Sequence, residues 1–401
     1  MCDFFRKSAA VFLAAGLMTM TLVGIYSSEL PDSFFVGSGD TLSIGSSSCV
    51  SAKPGKTSIT AFAEASKGTV STLMLFGSVP IKNVQTTTVQ RPMLVPCGEP
   101  LGIKLMTDGV LVVGLQENCG RCAARESGIQ KGDIIVSVDS KSVLSNDELS
   151  RVISACGGRS CEVKLIRDGK PMTLTLTPER INGEYKAGMW VRDSSAGIGT
   201  MTFYEKNTGI FAGLGHPICD ADVKTPLPLF KGRTGEVRLR DFTKSSSGSP
   251  GWLSGDFVNG SNTGTVFKNC SDGVFGRLWS PPKYLHDPLP LGFRQEIHTG
   301  EAEIYATIDN SGPQKYTVQI RNVDISGGGH DLEVQVTDKK LLEKTGGILQ
   351  GMSGSPIIQD GRLVGAVTHV LVDKPECGYG IFADRMYTHC RENTHFLQKA
   401  S

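Results

Sequence analysis

The hydrophobic pattern begins with an uncharged, mostly apolar stretch at positions 8–28, with Arg6 and Lys7 just ahead of it. At about 20 residues it can cross a hydrocarbon core as a helix. It also fits the core of an export signal. No A-x-A cleavage site stands at its end, which favours an uncleaved anchor. The basic pair places the N-terminus in the cytoplasm and everything after Glu29 outside it. A buried globular helix is the other explanation for such a stretch. It fits poorly with an apolar run at the terminus beside a basic pair.

Beyond residue 28, helical periodicity is rare and short alternating runs dominate, which predicts strands. Residues 29–95 are rich in Ser, Thr and Gly, with alternating runs at 69–76 and 84–89. They predict a small β-rich segment or an extended stalk. Residues 96–180 begin with a strand at 109–115. The pattern A-x-x-S-G-I-x-x-G-D-I-I-x-x-V follows at 124–138, with Ile134, Val136 and Val138 alternating. Ser145 and Glu148 form a capping box that opens a helix to about Ala155. Strands at 162–167 and 172–176 join at Asp168-Gly169.

Residues 181–401 continue the β pattern. Strands at 198–204 and 210–215 form a hairpin that ends on Gly215-His216-Pro217. Further strands at 236–239, 265–267, 304–308, 316–323 and 332–336, separated by Gly/Pro turns, predict a barrel or sandwich. No internal repeat stands out.

Composition changes this picture little. At 401 residues the chain exceeds one ordinary core, so two or more domains are expected. Hydrophobic residues make up 39% and charged residues 20%, as in soluble domains. The 48 glycines agree with a β-rich architecture. A net charge of +1 gives no electrostatic case for nucleic acid as a partner. The eleven cysteines are an odd number. Cys119 and Cys122 have redox or half-zinc spacing, but no second C-x-x-C or C-x-x-H follows, so neither a metal nor a cofactor is called for. Cys156 and Cys161 are close enough in sequence to pair. Most of the others are expected to be small apolar core residues.

The densest chemical signal is Gly351-Met352-Ser353-Gly354-Ser355-Pro356. A strand at 356–358, the hairpin turn Asp360-Gly361 and a returning strand at 363–372 follow it. This is how chymotrypsin-like peptidases present a nucleophilic serine. A serine hydroxyl needs a base for its proton and donors for the oxyanion. Glycines permit a turn that aims backbone N–H groups inward, which makes Gly351 and Ser353 the expected oxyanion donors. Ser355 is the decoy, its hydroxyl expected to pack or bond locally. A bare G-x-S-G would fit any Gly/Ser loop; five features in order fit the serine turn better.

The base is most often His. Of the seven His, His216 stands at a strand end beside a rigid Pro turn. A satisfied structural His is the competing explanation. His369, on the strand after the serine hairpin, more plausibly shapes the substrate cleft. His286, His298, His330, His389 and His395 lie in polar or loop-like stretches and are expected at the surface. For the third group, Asp338 precedes Ser353 by fifteen positions (353 − 338). It also stands where it would N-cap a short helix at 339–344, so acid and cap both remain open. Asp220, Asp222, Asp241, Asp309 and Asp324 compete.

Residues 96–180 resemble a PDZ domain, which places Leu101, Gly102 and Ile103 at the carboxylate of a bound peptide. A PDZ fold that only packs against the rest of the chain is the alternative. The chain as a whole resembles the stage IV sporulation protein B family of endospore-forming bacteria. The resemblance rests on GVLVVG at 109–114, FAGLGHPI at 211–218, TDKKLLEKTGGILQGMSGSPIIQDG at 337–361 and GAVTHV at 365–370. It implies a mainly β fold: a membrane-targeting helix (1–28), a β-rich or stalk region (29–95), the PDZ domain (96–180) and a chymotrypsin-like double β-barrel peptidase domain (181–401). It also implies the triad His216, Asp338 and Ser353, although this acid lies nearer the serine than in pancreatic enzymes.

By the same resemblance the chain would be exported across the forespore membrane, either anchored or released into the space facing the mother cell. It would cut itself near its N-terminus. It would also cleave a membrane-bound sporulation regulator, triggering intramembrane activation of a late mother-cell sigma factor. The PDZ domain would bind partner or self termini. A non-catalytic PDZ scaffold with a degenerate peptidase domain is the competing function, and a thiol-redox role for Cys119 and Cys122 comes third.

Overall fold

The computed structural model describes residues 2–47, 49–60, 67–117, 121–327 and 329–399. The apolar N-terminal stretch forms one helix, Cys2–Glu29. Its span Arg6–Glu29, of 24 residues, is long and apolar enough to cross a membrane, and none of its apolar window is buried against the fold.

The next segment is a four-stranded sheet in the order Ser33–Gly37, Val79–Val89, Lys67–Leu75, Val50–Thr60, whose first pair is parallel. It is not a free stalk. Leu30, Phe34, Ile44, Val50, Leu73 and Val84 share one core with Ile304, Ile320 and Val334 further along the chain. Arg91 fastens this junction by a two-pronged bond to Glu296, at 2.8 and 2.7 Å, and a further bond to Asp40 at 2.7 Å.

The peptidase region holds two six-strand barrels. The first closes through Pro100–Leu115, Leu229–Gly235, Gly264–Cys270, Gly273–Leu278, Ile210–Gly213 and Met189–Tyr204, which pairs back with Pro100–Leu115. Alternate residues of these strands fill it, including Ile103, Leu105, Phe211 and Val274. The second runs Gly300–Ala306, Gln314–Val323, Leu332–Val336, Cys377–Phe382, Arg362–Val370, Pro356–Gln359 and closes on itself. The Asp360-Gly361 turn has φ of 49° and 70°, the left-handed pair a two-residue hairpin requires.

The PDZ domain grows out of the first barrel. Strands Pro100–Leu115 and Met189–Tyr204 are each 16 residues long, and both run from the barrel into the PDZ sheet. There the 100–115 strand pairs with Ile134–Val138, which pairs with Cys161–Arg167, which pairs with Lys170–Leu176. The helix Asn146–Ala155 is capped by Ser145, whose side chain accepts from Glu148 N, and Leu149 and Ile153 bury its inner face. A C-terminal helix, Ala383–Lys399, ties the barrels together. Its Arg385 reaches Asp272 of the first barrel at 3.0 Å and Asp331 beside the second at 3.1 Å.

The barrels meet at Gly354. Its φ is +100°, and a Cβ there would lie 2.0 Å from Thr200 O and 2.6 Å from Leu214 N. The first barrel's backbone therefore occupies the space a side chain would need. Gly354→Ala is expected to cost about 2 kcal/mol or more, read as a lower denaturant midpoint at unchanged slope.

Candidate active site

Thr200 joins the serine turn to the histidine turn. Its N–H donates to Ser353 O at 2.9 Å, its hydroxyl to Gly351 O at 2.7 Å, and its carbonyl accepts from Leu214 N at 3.1 Å. Leu214 and Gly215 then adopt left-handed φ of 67° and 68°. A Cβ on Gly215 would meet Thr368 Cγ2 at 2.8 Å and Ile381 Cγ2 at 2.9 Å, so the turn before His216 lies flat on the second barrel. Ser353, from the second barrel, and His216, from the first, are thereby delivered to one cleft.

In this cleft Ser353 Oγ donates to Thr368 O at 2.5 Å. His216 Nδ1 lies 2.9 Å from Pro217 O, so the ring carries its hydrogen on Nδ1 and leaves Nε2 as a base. The next residue after Thr368 is His369, whose ring centroid is 4.8 Å from that of His216. Burial pushes the His216 imidazole below its usual value, with the Pro217 carbonyl opposing. His369 is pushed the same way by burial first, then by the nearby His216 and His330. Both shifts favour the neutral imidazole. Among the described residues the N–H groups of Gly351 and Ser353 have no acceptor, as oxyanion donors require.

Asp338 is not brought to this cleft by any bond among the described residues. It N-caps the helix Lys339–Thr345, accepting from Leu341 N at 2.9 Å, and Gly346 closes that helix at φ 75°. Burial first, then the nearby Asp309 and Asp338, push the Tyr316 phenol up to about 12. Of the two roles open to Asp338, the one with a drawn bond is the cap. Ser355 Oγ is fully buried and has no partner among the described residues, so of the two expected fates it packs without a local bond.

Leu101, Gly102 and Ile103 do not form an open carboxylate loop. They lie inside the 100–115 strand, paired with Gly199, Ile198 and Gly197 on one side. On the other side, Gly102 and Ile103 pair with Gly235 and Thr234. Leu101 and Ile103 are buried in the first barrel. With both edges taken, no peptide strand can add there. The chain's own Met189–Tyr204 strand occupies that place instead.

Of the remaining histidines, His389 is not a surface residue. Its Nε2 lies 2.7 Å from the buried Asp272 carboxylate. His330 stacks on Tyr379 with centroids 3.6 Å apart, and His298 pairs with Asp360 at 2.9 Å. His286 is partly buried against Tyr305, and the side chain of His395 lies outside the described residues. Cys119 also lies outside them; its partner Cys122 is buried, and its sulfur caps the helix Ala123–Glu126. Cys97, Cys156 and Cys161 are buried free thiols, as small core residues would be, and Cys390 is buried as well.

The profile of the SpoIVB peptidase S55 family matches residues 183–387, just over half of the 401 residues. The chain belongs to the SpoIVB peptidase S55 family. A PDZ domain profile matches residues 121–167. The S55 family consists of serine peptidases, and a PDZ domain joined to a protease implies protein substrates and peptide binding. The chain is also similar to a protein of Mesorhizobium japonicum named as a zinc metalloprotease, at 33% identity over 75 residues. That match covers 19% of this chain and 20% of the other, so the chain spans about a fifth of that relative's length.

The two roles of Asp338 separate by substitution. Asn caps a helix as well as Asp but carries no charge. Asp338→Asn is expected to keep both melting temperature and activity per folded molecule, while Asp338→Ala should lose about 1 kcal/mol of stability. A fall in kcat for Asp338→Asn at unchanged melting temperature would make the carboxylate part of the catalytic set instead.

Proposed function

We propose that this S55 peptidase is a membrane-tethered endopeptidase that hydrolyses peptide bonds through an acyl-enzyme on Ser353. What supports this reading is that Ser353 Oγ bonds Thr368 O while the next residue, His369, has its ring 4.8 Å from that of His216, with the Gly351 and Ser353 N–H groups unused among the described residues. Ser353 Oγ turns from Thr368 O towards His216 Nε2, which takes its proton as Oγ attacks the scissile carbonyl. The N–H groups of Gly351 and Ser353 hold the oxyanion. His216 then returns the proton to the leaving amine, and water repeats the sequence to free the enzyme.

The Nδ1 hydrogen bond to Pro217 O holds the tautomer throughout, the task a buried carboxylate performs in chymotrypsin-type sites. His369 lines the substrate cleft beside the base. Arg6 and Lys7 ahead of the apolar helix support a cytoplasmic N-terminus, so that substrate would reach the site from outside the cytoplasm. Family membership supports a role in sporulation. There the chain would cut itself near its anchor and cleave a membrane-bound regulator, releasing the activation of a late mother-cell sigma factor.

Treating full-length protein with a fluorophosphonate probe tests the nucleophile. Ser353→Ala should abolish labelling with folding intact. Ser355→Ala should label at the wild-type rate and melt no lower, since it removes a buried hydroxyl that has no partner. The reverse pattern would move the nucleophile. The rate should also depend on pH through His216. Its base form must be neutral and burial lowers its pKa, so the acid limb of kcat/KM is expected below 6.5, the ordinary histidine value. A limb at or above that value would count against His216 as the buried base.

A further inference from the structure

The loop that carries His216 is held from two sides, and only one of them belongs to the barrel. On the barrel side, Asn269 brackets the loop. Its Oδ1 accepts from Ile218 N at 2.8 Å, and its Nδ2 donates to Ile218 O at 3.0 Å and Leu227 O at 3.1 Å. On the other side stands Asp220, four residues beyond His216 and wholly buried. One of its oxygens accepts from Asp222 N at 2.8 Å and Val223 N at 3.0 Å, which folds the loop on itself. The other oxygen bonds Arg192, whose second arm reaches Asp222 at 2.8 Å.

Arg192 lies on the PDZ half of the Met189–Tyr204 strand, opposite Leu111, next to the PDZ pair Leu111–Ile134. The register shifts between Arg192 and Ser194, a bulge where the strand passes from PDZ sheet to barrel. The extra residues, 107–110, are on the opposite strand; the one unpaired residue on this strand, Asp193, accepts from Asn146 N at 2.9 Å, at the first turn of the PDZ helix. Burial alone would push the Asp220 carboxyl up, but the N–H groups of Val223 and Asp222 and the Arg192 guanidinium hold it below the usual range. It is therefore a charged group kept in the interior by its partners, and such a pair is costly to break from one side.

We propose that Arg192 is a positioning residue: through Asp220 it fixes the His216 loop against the PDZ domain and so sets the aim of the catalytic imidazole. This rests on the serine-peptidase reading above. A second contact agrees with it. A Cβ on the PDZ residue Gly132 would lie 3.6 Å from Val223 Cγ1, so the loop also touches the PDZ domain at that point.

The test is the rate of Ser353 phosphonylation across pH, on full-length protein in detergent, for wild type, Arg192→Ala and Arg192→Lys. Arg192→Ala should slow labelling about tenfold or more, since small displacements of a catalytic group cost this much. Its acid limb should also move up towards the ordinary histidine value, because a loosened loop lets water reach His216. His369 is the titratable group facing the His216 ring, and it is unchanged in every variant.

Arg192→Lys keeps the charge but has a single point of donation for two carboxylates, so it should fall between the other two. Should the Ala variant not fold, the Lys variant decides alone. Wild-type rate and an unmoved pH profile in the folded variants would overturn the positioning role while leaving the peptidase intact. A folded wild type that never labels at Ser353 would overturn both.

Discussion

The site depends on the approach of two backbones at Gly354, where Thr200 spends its N–H, hydroxyl and carbonyl on the turns that carry the nucleophile and the base. Neither barrel contains the chemistry by itself. The serine sits at the mouth of the second and the histidine at the edge of the first. Close contact between main chains, made possible by a missing Cβ, brings the two turns together. Hydrogen bonds to backbone carbonyls suit this purpose, because they fix position without adding charge to a cleft where a neutral base is needed.

The electrostatics follow from that arrangement. No carboxylate is bonded to His216 among the described residues, and His369 is its ring neighbour. Burial and a second imidazole both favour the neutral form, and a neutral imidazole is what a general base must be before it acts. The charged groups lie further out. Asp220 works with Arg192 at the back of the histidine loop, and Asp272 works with His389 and Arg385 under the C-terminal helix.

The PDZ domain is also part of the frame. It is not strung on a linker, since two of its strands continue as walls of the first barrel. A continuous strand transmits displacement where a flexible linker would absorb it. This gives the PDZ domain a mechanical connection to the histidine loop, whatever it binds. It also explains why the Leu101–Gly102–Ile103 segment is closed: the strand that lies along it is part of the barrel wall.

Local sequence determined most of the elements. The Asp360-Gly361 turn, the Ser145 N-cap, the helix cap at Asp338 and the hairpin leading into His216 are as the residue pattern predicts, because each rests on contacts within a few positions; the Glu148 half of the expected capping box is not, since its carboxylate takes Leu144 N instead. The serine turn and the histidine were legible for the same reason. Tertiary structure alone decided the rest. Nothing around Thr200, Thr368, Asn269 or Arg192 marks them in the sequence, since their partners lie from 14 positions (200 to 214) to 153 positions (200 to 353) away. The segment 101–103 has the local pattern of a PDZ loop, yet strand pairing on both edges overrides it. For Asp338 the sequence left two roles open, and its carboxylate bonds Leu341 N three residues on. Short-range chemistry wrote the parts; which parts face one another depended on long-range pairing, which no local pattern encodes.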